Sequence, residues 1–363
     1  MTLGVAVVGC GNISNQYLKN LTQFPDVKVL FCADIDTGRA KSQAAAYGIP
    51  ESGTPAQALA RDDVQLVVNL TIPQAHAQVA GEAIEAGKHV WNEKPLTLDV
   101  ASARHLLIKA RDNNVRVGCA PDTVLGAGIQ SARRLIDEGV IGTPLSALVL
   151  FQGPGPESWH PDPEFLFAVG AGPLFDMGPY YLSTLATLFG PAQRVAAVSR
   201  RARKTRVIGS GPRQGTEFGV AVPTYTAALV EYQAGQAAQL QFSWDSPLRR
   251  NGFLEVTGTD ATLAVPDPNR FDGDLKIRRA GDEDWTVIPS SGAAAGRGSG
   301  VIDMARAIAA GAPHRASGDM ALHVLELMER ISGSAETGGF ETITSTFDTP
   351  APLDREWDPY VAQ

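Results

Sequence analysis

The pattern of apolar and polar positions along this chain changes character near residue 121. Before that point, short runs of small and β-branched residues alternate with stretches whose apolar side chains recur every three or four positions. The runs predict strands buried on both faces, and the stretches predict amphipathic helices. Strands are expected at 4–8, 27–33, 65–70, 89–92 and 116–119, with helices at 13–24, 39–47, 55–60, 76–85 and 98–113 between them. Such regular alternation makes a parallel, doubly wound sheet with both faces covered. Residues 1–121 are therefore expected to form a Rossmann domain of the α/β class.

Beyond Pro121 the rhythm differs. A helix at 129–138 precedes a strand at 145–151, a loop rich in Gly, Pro and aromatic residues fills 152–172, and a helix follows at 176–189. Strand-like segments then succeed one another at 194–199, 224–233, 237–243, 252–258 and 275–279. A Gly/Ala/Ser loop at 292–300, helices at 301–310 and 320–336, and a Pro-bearing tail from 349 close the chain. Strands without helices between them imply antiparallel pairing. Residues 122–363 are thus expected to be an α+β domain built on a large, mostly antiparallel open sheet. One face of such a sheet lies on its own helices, and a second copy of the chain is expected to cover the other, giving a homodimer or homotetramer.

The first strand leads straight into chemistry. Gly9, Gly11, Asn12 and Ile13 form the turn between it and the first helix, the place where glycines let a backbone approach a pyrophosphate and a helix N-terminus offers free N–H groups to it. The second strand ends in Asp34, 23 residues beyond Gly11, where a dinucleotide fold wants an acid for the ribose hydroxyls. Ser14 replaces the third glycine of the usual fingerprint and is still small enough for close helix–strand packing. Because Asp34 would repel a 2′-phosphate, NAD is expected in preference to NADP, with Arg39 close enough to soften the choice. Thr71 and Pro73, at the end of the third strand, are expected to border the nicotinamide ribose. His76 either joins them or simply begins its helix.

Composition narrows the setting. The chain has 363 residues, 44% hydrophobic and 19% charged, enough for more than one core. Its formal net charge of −8 disfavours nucleic acid and anionic membranes as partners. A local exception is the basic run of Arg200, Arg201, Arg203, Lys204 and Arg206, read as a solvated loop or edge strand, with a substrate phosphate as the alternative. Three separated cysteines, Cys10, Cys32 and Cys119, fit core positions in a reducing cytoplasm; no Cys/His cluster suggests a metal. The first apolar stretch is too short to cross a bilayer and has no basic segment before it.

Glu93-Lys94-Pro95 stands at the carboxyl end of a parallel strand, where open α/β sheets bind ligands. A lysine there, partly desolvated beside a cofactor, can assist deprotonation of a substrate alcohol. The alternative is a surface lysine before a helix with Pro95 in its first turn. Three segments, GCGNIS at 9–14, AGKHVWNEKP at 86–95 and GAGPLFDMGPYYL at 170–182, occur in the order found in the Gfo/Idh/MocA oxidoreductases, which the chain resembles over nearly its whole length.

That resemblance implies a nicotinamide cofactor on the first domain and a substrate held between it and the sheet face of the second. It also implies that Asp176 matches the family's helix Asp, while Tyr180 stands where most members carry His. Positions i and i+4 share a helix face, so Asp176 can orient substrate hydroxyls while Tyr180 acts as acid/base with Lys94 as its electrostatic partner. Tyr181 is expected in the core. Asp122 and Thr123, just past the last Rossmann strand, are candidates for binding sugar hydroxyls or for capping the next helix. Trp159 and His160 are candidates to wall the site, an aromatic ring stacking on a sugar's C–H face. The expected activity is oxidation or reduction of a secondary alcohol of a small carbohydrate, cyclitol or glycoside. An NAD-dependent glycoside hydrolase working by transient oxidation and elimination, and an NAD-sensing regulator, are the alternatives.

Overall fold

The protein is described by a computed structural model covering residues 2–363. The chain divides into two compact units, one comprising residues up to Gln130 with Ser291–Leu325 and Pro350–Gln363, the other Ser131–Ser290 with Glu326–Thr349. The expected boundary at 121/122 omits this return of the chain: two later segments pack with the dinucleotide-type unit.

In the first unit, β1 (Leu3–Val8), β2 (Val27–Ala33), β3 (Glu51–Gly53), β4 (Leu66–Asn69), β5 (His89–Asn92) and β6 (Val117–Cys119) make a parallel sheet ordered β3-β2-β1-β4-β5-β6. Val5 to Val8 and Leu66 to Val68 have no exposed surface, as expected for strands covered on both sides. The helices are α1 (Ser14–Leu21), α2 (Thr37–Tyr47), α3 (Pro55–Leu59), α4 (Pro73–Glu85) and α5 (Val100–Asp112). Their starts follow local chemistry: Asp36 caps α2 through the N–H groups of Gly38 and Arg39, Thr54 and Gln57 form a capping box on α3, and Pro73 opens α4. The order reverses between β1 and β4, so their carboxyl ends form the switch point where such sheets bind ligands. Pro95 does not open a helix. It follows a cis peptide bond with Lys94, and α5 begins only after Asp99 caps it.

After α6 (Ala127–Asp137), the second unit contains β7 (Pro144–Gln152), α7 (Pro173–Phe189), β8 (Ala192–Arg200), β9 (Thr205–Val207), β10 (Glu217–Gly219), β11 (Tyr225–Tyr232), β12 (Ala237–Ser243), β13 (Arg250–Gly258), β14 (Ala261–Val265), β15 (Leu275–Arg279) and β16 (Thr286–Ile288). In chain order α8 (Ser299–Ala310), which belongs to the first unit, α9 (Gly318–Thr337), which crosses the division, and the short β17 (Glu341–Thr342) follow. Nine strands form one sheet, ordered β16-β15-β14-β13-β7-β12-β11-β8-β17, antiparallel throughout except for the β12/β7 pair. α7 lies on β11 and β12 and is buried continuously from Gly178 to Phe189.

The opposite face carries the row Leu148, Gln239, Leu229 and Ala196 in register across four strands, with Leu148 and Leu229 more than a third exposed. The basic run departs from its expectation. β9 pairs with β10 in a separate two-stranded sheet, and Arg206 within it is buried, while Arg200, Arg201, Arg203 and Lys204 remain exposed.

Candidate functional site

The turn after β1 is shaped by two glycines with different reasons to be glycine. Gly9 has φ +97°, and a Cβ there would lie 2.6 Å from the Leu70 carbonyl, so β1 and β4 could not approach. At Gly11 a Cβ would meet no atom within 4 Å and no left-handed backbone is required. Nothing in the protein itself demands glycine at that position. Among the described residues, no acceptor takes the backbone N–H groups of Gly11, Asn12 and Ile13, and no side chain caps α1. Open space above a turn with three successive unclaimed amides fits the pyrophosphate of a dinucleotide. Ser14 is fully buried and donates its hydroxyl to the Gly11 carbonyl at 2.6 Å, so it locks the turn.

Asp34 is fixed beside the same turn. Its Oδ2 accepts from Cys10 N at 2.8 Å and its Oδ1 from Asp36 N at 2.9 Å, leaving further acceptor capacity on each oxygen. The half-exposed Arg39 guanidinium lies 3.7 Å from Oδ2 and 3.6 Å from Asp36. A line of hydrogen bonds joins the strand ends: Thr71 Oγ1 donates to Asn69 Oδ1, Asn69 Nδ2 to Asn92 Oδ1, and Asn92 Nδ2 to the Leu96 carbonyl. Thr71 and Pro73 keep partly exposed surface at this edge. Lys94, also half-buried, stands on a loop that the network holds at both ends.

Four residues expected at the ligands, His76, Glu93, Asp122 and Thr123, have side chains that are buried here. His76 is 1% exposed, with its ring nitrogens against the carbonyls of Pro95 and Thr71, so it clamps two loops and offers nothing to a cofactor. Burial holds its pKa below the usual histidine value, outweighing those two contacts. Glu93 is a strut: it accepts from the Tyr17 hydroxyl at 3.0 Å and from Lys94 N at 2.7 Å. Asp122 and Thr123 have no exposed surface, so neither reaches a substrate. Asp122 instead accepts from the N–H groups of Gly298 and Gly300, with Arg297 at 3.5 Å, and burial raises its pKa against their opposing pull. Asp122 sits in a core that the chain completes 176 residues later, which local sequence cannot show.

In the second unit, α7 carries Asp176, half-buried, and Tyr180, 7% exposed, one turn apart. Tyr181 is fully buried and accepts from Gly252 N at 2.9 Å, a core position as expected. Asp176 opens onto a cavity of about 220 Å³ lined also by Trp159, Trp244, Asn251 and Asp267. Trp159 is 62% exposed, and its ring meets His160 edge-on at 5.5 Å. His160 meets Phe165 in turn and accepts from Asp162 N, so it backs Trp159 and does not line the cavity. Asn251 and Asp267, on and after the strands β13 and β14, carried no periodic or motif signal. Arg206 was equally hidden: its guanidinium pairs with Glu157 and Asp245, donates to the Pro154 and Trp244 carbonyls at 2.9 Å each, and stacks over Phe167. No cluster of three or more metal-ligating side chains occurs among the described residues, and no helix there is long and apolar enough to cross a membrane.

These features define a two-unit protein with a dinucleotide-type parallel sheet in one unit and a cavity of about 220 Å³ in the other. A family profile described as "Oxidoreductase family, NAD-binding Rossmann fold" matches residues 3–120, and one described as "GFO/IDH/MocA C-terminal domain" matches 129–264. The chain belongs to the Gfo/Idh/MocA family of oxidoreductases. It is similar to a 1,5-anhydro-D-fructose reductase of Ensifer adhaerens, 29% identical over 71% of this chain and 74% of the relative. It is also similar to inositol 2-dehydrogenase 3 of Saccharopolyspora erythraea, 27% identical over 78% and 80%. Among solved structures, levoglucosan dehydrogenase in complex with NADH shares the fold with a TM-score of 0.80, at 21% identity over 95% of this chain and all of that one.

Proposed function

We propose that this protein is an NAD-dependent dehydrogenase that oxidises or reduces a secondary alcohol of a sugar, cyclitol or glycoside. The observation that carries the reading is the Gly11 turn, with its three unclaimed amides beside the fixed Asp34 carboxylate. Relatives whose names denote reduction of an anhydro sugar and oxidation of an inositol support the substrate class. NAD, when bound, supplies the hydride acceptor. The protein's part is to hold the pyrophosphate on Gly11, Asn12 and Ile13, to place the ribose hydroxyls at Asp34, with Thr71 and Pro73 at the nicotinamide end, and to manage one proton. Tyr180 is assigned to relay that proton, giving up its phenolic hydrogen as it accepts the alcohol's, Lys94 to stabilise the developing alkoxide electrostatically, and Asp176 to orient neighbouring hydroxyls.

NAD is the preferred coenzyme in this reading, because the Asp34 carboxylate, held by Cys10 N and Asp36 N, would repel a 2′-phosphate. A second copy of the chain covers the exposed Leu148/Leu229 face, forming a homo-oligomer. Three buried free cysteines suit a reducing cytoplasm.

The test is NADH formation from a panel of polyols and glycosides, with Tyr180→Phe and Lys94→Ala beside the wild type. Each variant is expected to lose on the order of a hundredfold in kcat. Wild-type rates in both would overturn the assignment of roles. Release of aglycone without accumulating NADH would point to the hydrolytic alternative.

A further inference from the structure

The cavity beside Asp176 lies wholly within the second unit, and its walls divide by chemistry. Trp159, Trp244 and Phe151 supply aromatic surface; Asp176, Asp267 and Asn251 supply hydrogen-bonding groups. That combination suits a ring with apolar C–H faces and a rim of hydroxyls. At about 220 Å³ the space is smaller than the roughly 300–1,000 Å³ of pockets that enclose drug-sized ligands. A space of this size suits a single ring better than a larger ligand. Two carboxylates face it against the single guanidinium of Arg249, so a ring bearing phosphate or carboxylate meets net repulsion.

One wall is a loop, 153–159, with little regular structure of its own. Arg206, buried behind it, ties that loop to the end of β12: it binds the Pro154 carbonyl and Glu157 on one side, the Trp244 carbonyl and Asp245 on the other. Thr224 donates to the second oxygen of Asp245 at 2.6 Å and fixes it. Both tryptophans of the cavity are therefore adjacent to groups that Arg206 holds.

Resting on the function proposed above, we propose that this cavity selects the substrate, taking one neutral, monosaccharide-sized polyol ring, with Asn251 and Asp267 as its specificity residues and Arg206 as a positioning residue for its aromatic wall. Sugar phosphates, uronates and nucleotide-linked sugars are disfavoured by the two carboxylates of its lining.

The experiment uses the full-length protein with NAD and the best neutral polyol of the panel. Asn251→Ala and Asp267→Asn are expected to raise KM for the polyol about tenfold, the loss of roughly one hydrogen bond, with KM for NAD unchanged. Arg206→Met is expected to raise polyol KM more than it lowers kcat, and Arg206→Lys to restore part of it. A merely structural Arg206 would move both KM values and the melting temperature together. Should Arg206→Met fail to fold, Glu157→Gln reads the same link with the hydrogen-bonding shape kept.

Wild-type polyol KM in the Asn251 and Asp267 variants, or turnover of a sugar phosphate or nucleotide sugar as good as that of the neutral ring, overturns the inference while leaving the dehydrogenase reading intact. Absence of NADH formation by wild type with every substrate overturns the dehydrogenase reading itself.

Discussion

Gly9 and Gly11 are two residues apart and should fail in opposite ways. Alanine at position 11 meets no neighbour within 4 Å and keeps an ordinary backbone conformation. Its only effect on folding is a less flexible unfolded chain, a stabilisation of about 0.4–1 kcal/mol. In the proposed complex the added methyl group would compete with the pyrophosphate for the open space at this turn. Lengthening one charge-assisted hydrogen bond to a phosphate oxygen costs about 1.5–3 kcal/mol, or roughly ten- to a hundredfold in affinity for NAD.

Alanine at position 9 combines the left-handed φ, about 1–2 kcal/mol, with overlap at 2.6 Å against the Leu70 carbonyl, about 1–3 kcal/mol more. Thermal melts without coenzyme and calorimetric titration with NAD separate the two effects. Gly11→Ala should melt no lower than wild type and bind NAD weakly, whereas Gly9→Ala should melt lower before any ligand is added. A Gly11→Ala protein that binds NAD like wild type, or that loses stability as Gly9→Ala does, would refute the assignment of this turn to the pyrophosphate.

Asp34→Asn removes the charge facing the ribose but keeps a carbonyl acceptor, so the ratio of kcat/KM for NAD over NADP should fall about tenfold; an unchanged ratio would show that Asp34 does not set the choice. Glu326 is 1% exposed, and although burial pushes its carboxyl up, donors from Ser345 and Thr344 bring it down to about 2. Because the folded pKa is the lower one, its stabilisation, on the order of 3 kcal/mol, is present above pH about 4.5 and lost as pH falls towards 2. Urea unfolding of wild type and Glu326→Gln should converge across that window, and a constant gap would contradict it. Leu229→Glu places a charge in the middle of the exposed sheet row and should convert the assembly to monomer by light scattering; an unaltered mass would remove that face as the interface.

The doubly wound sheet was legible because fully buried parallel strands leave apolar runs such as Val5–Val8 that nothing else in the region imitates. Short strands escaped notice. Glu51–Gly53 and Thr205–Val207 are too brief to show a period, and pairing with neighbours is what defines them. Lys94, Asp34 and the Gly9–Ile13 turn lie just past strand ends, as the sequence predicted, because strand ends and turns mark themselves. Asp122 and His76 could not be judged in the same way, since their burial depends on partners at Gly298 and Pro95. Arg206 shows the limit best. In a run of five basic residues one is sealed inside the protein, and only the distant acids Glu157 and Asp245 mark it out.

The carboxylate of Asp122 also bears on the order in which the protein can be made. While a ribosome is still translating the middle of the message, the nascent first unit has all six of its strands but neither Gly298 nor Gly300 to quiet that acid, and no segment from 350 onward to close it. Vectorial synthesis therefore delivers an unfinished coenzyme fold that must wait for Ser291–Leu325 and Pro350–Gln363 to emerge. A gene cut at residue 130, or fused there to a foreign second half, would inherit the same gap permanently.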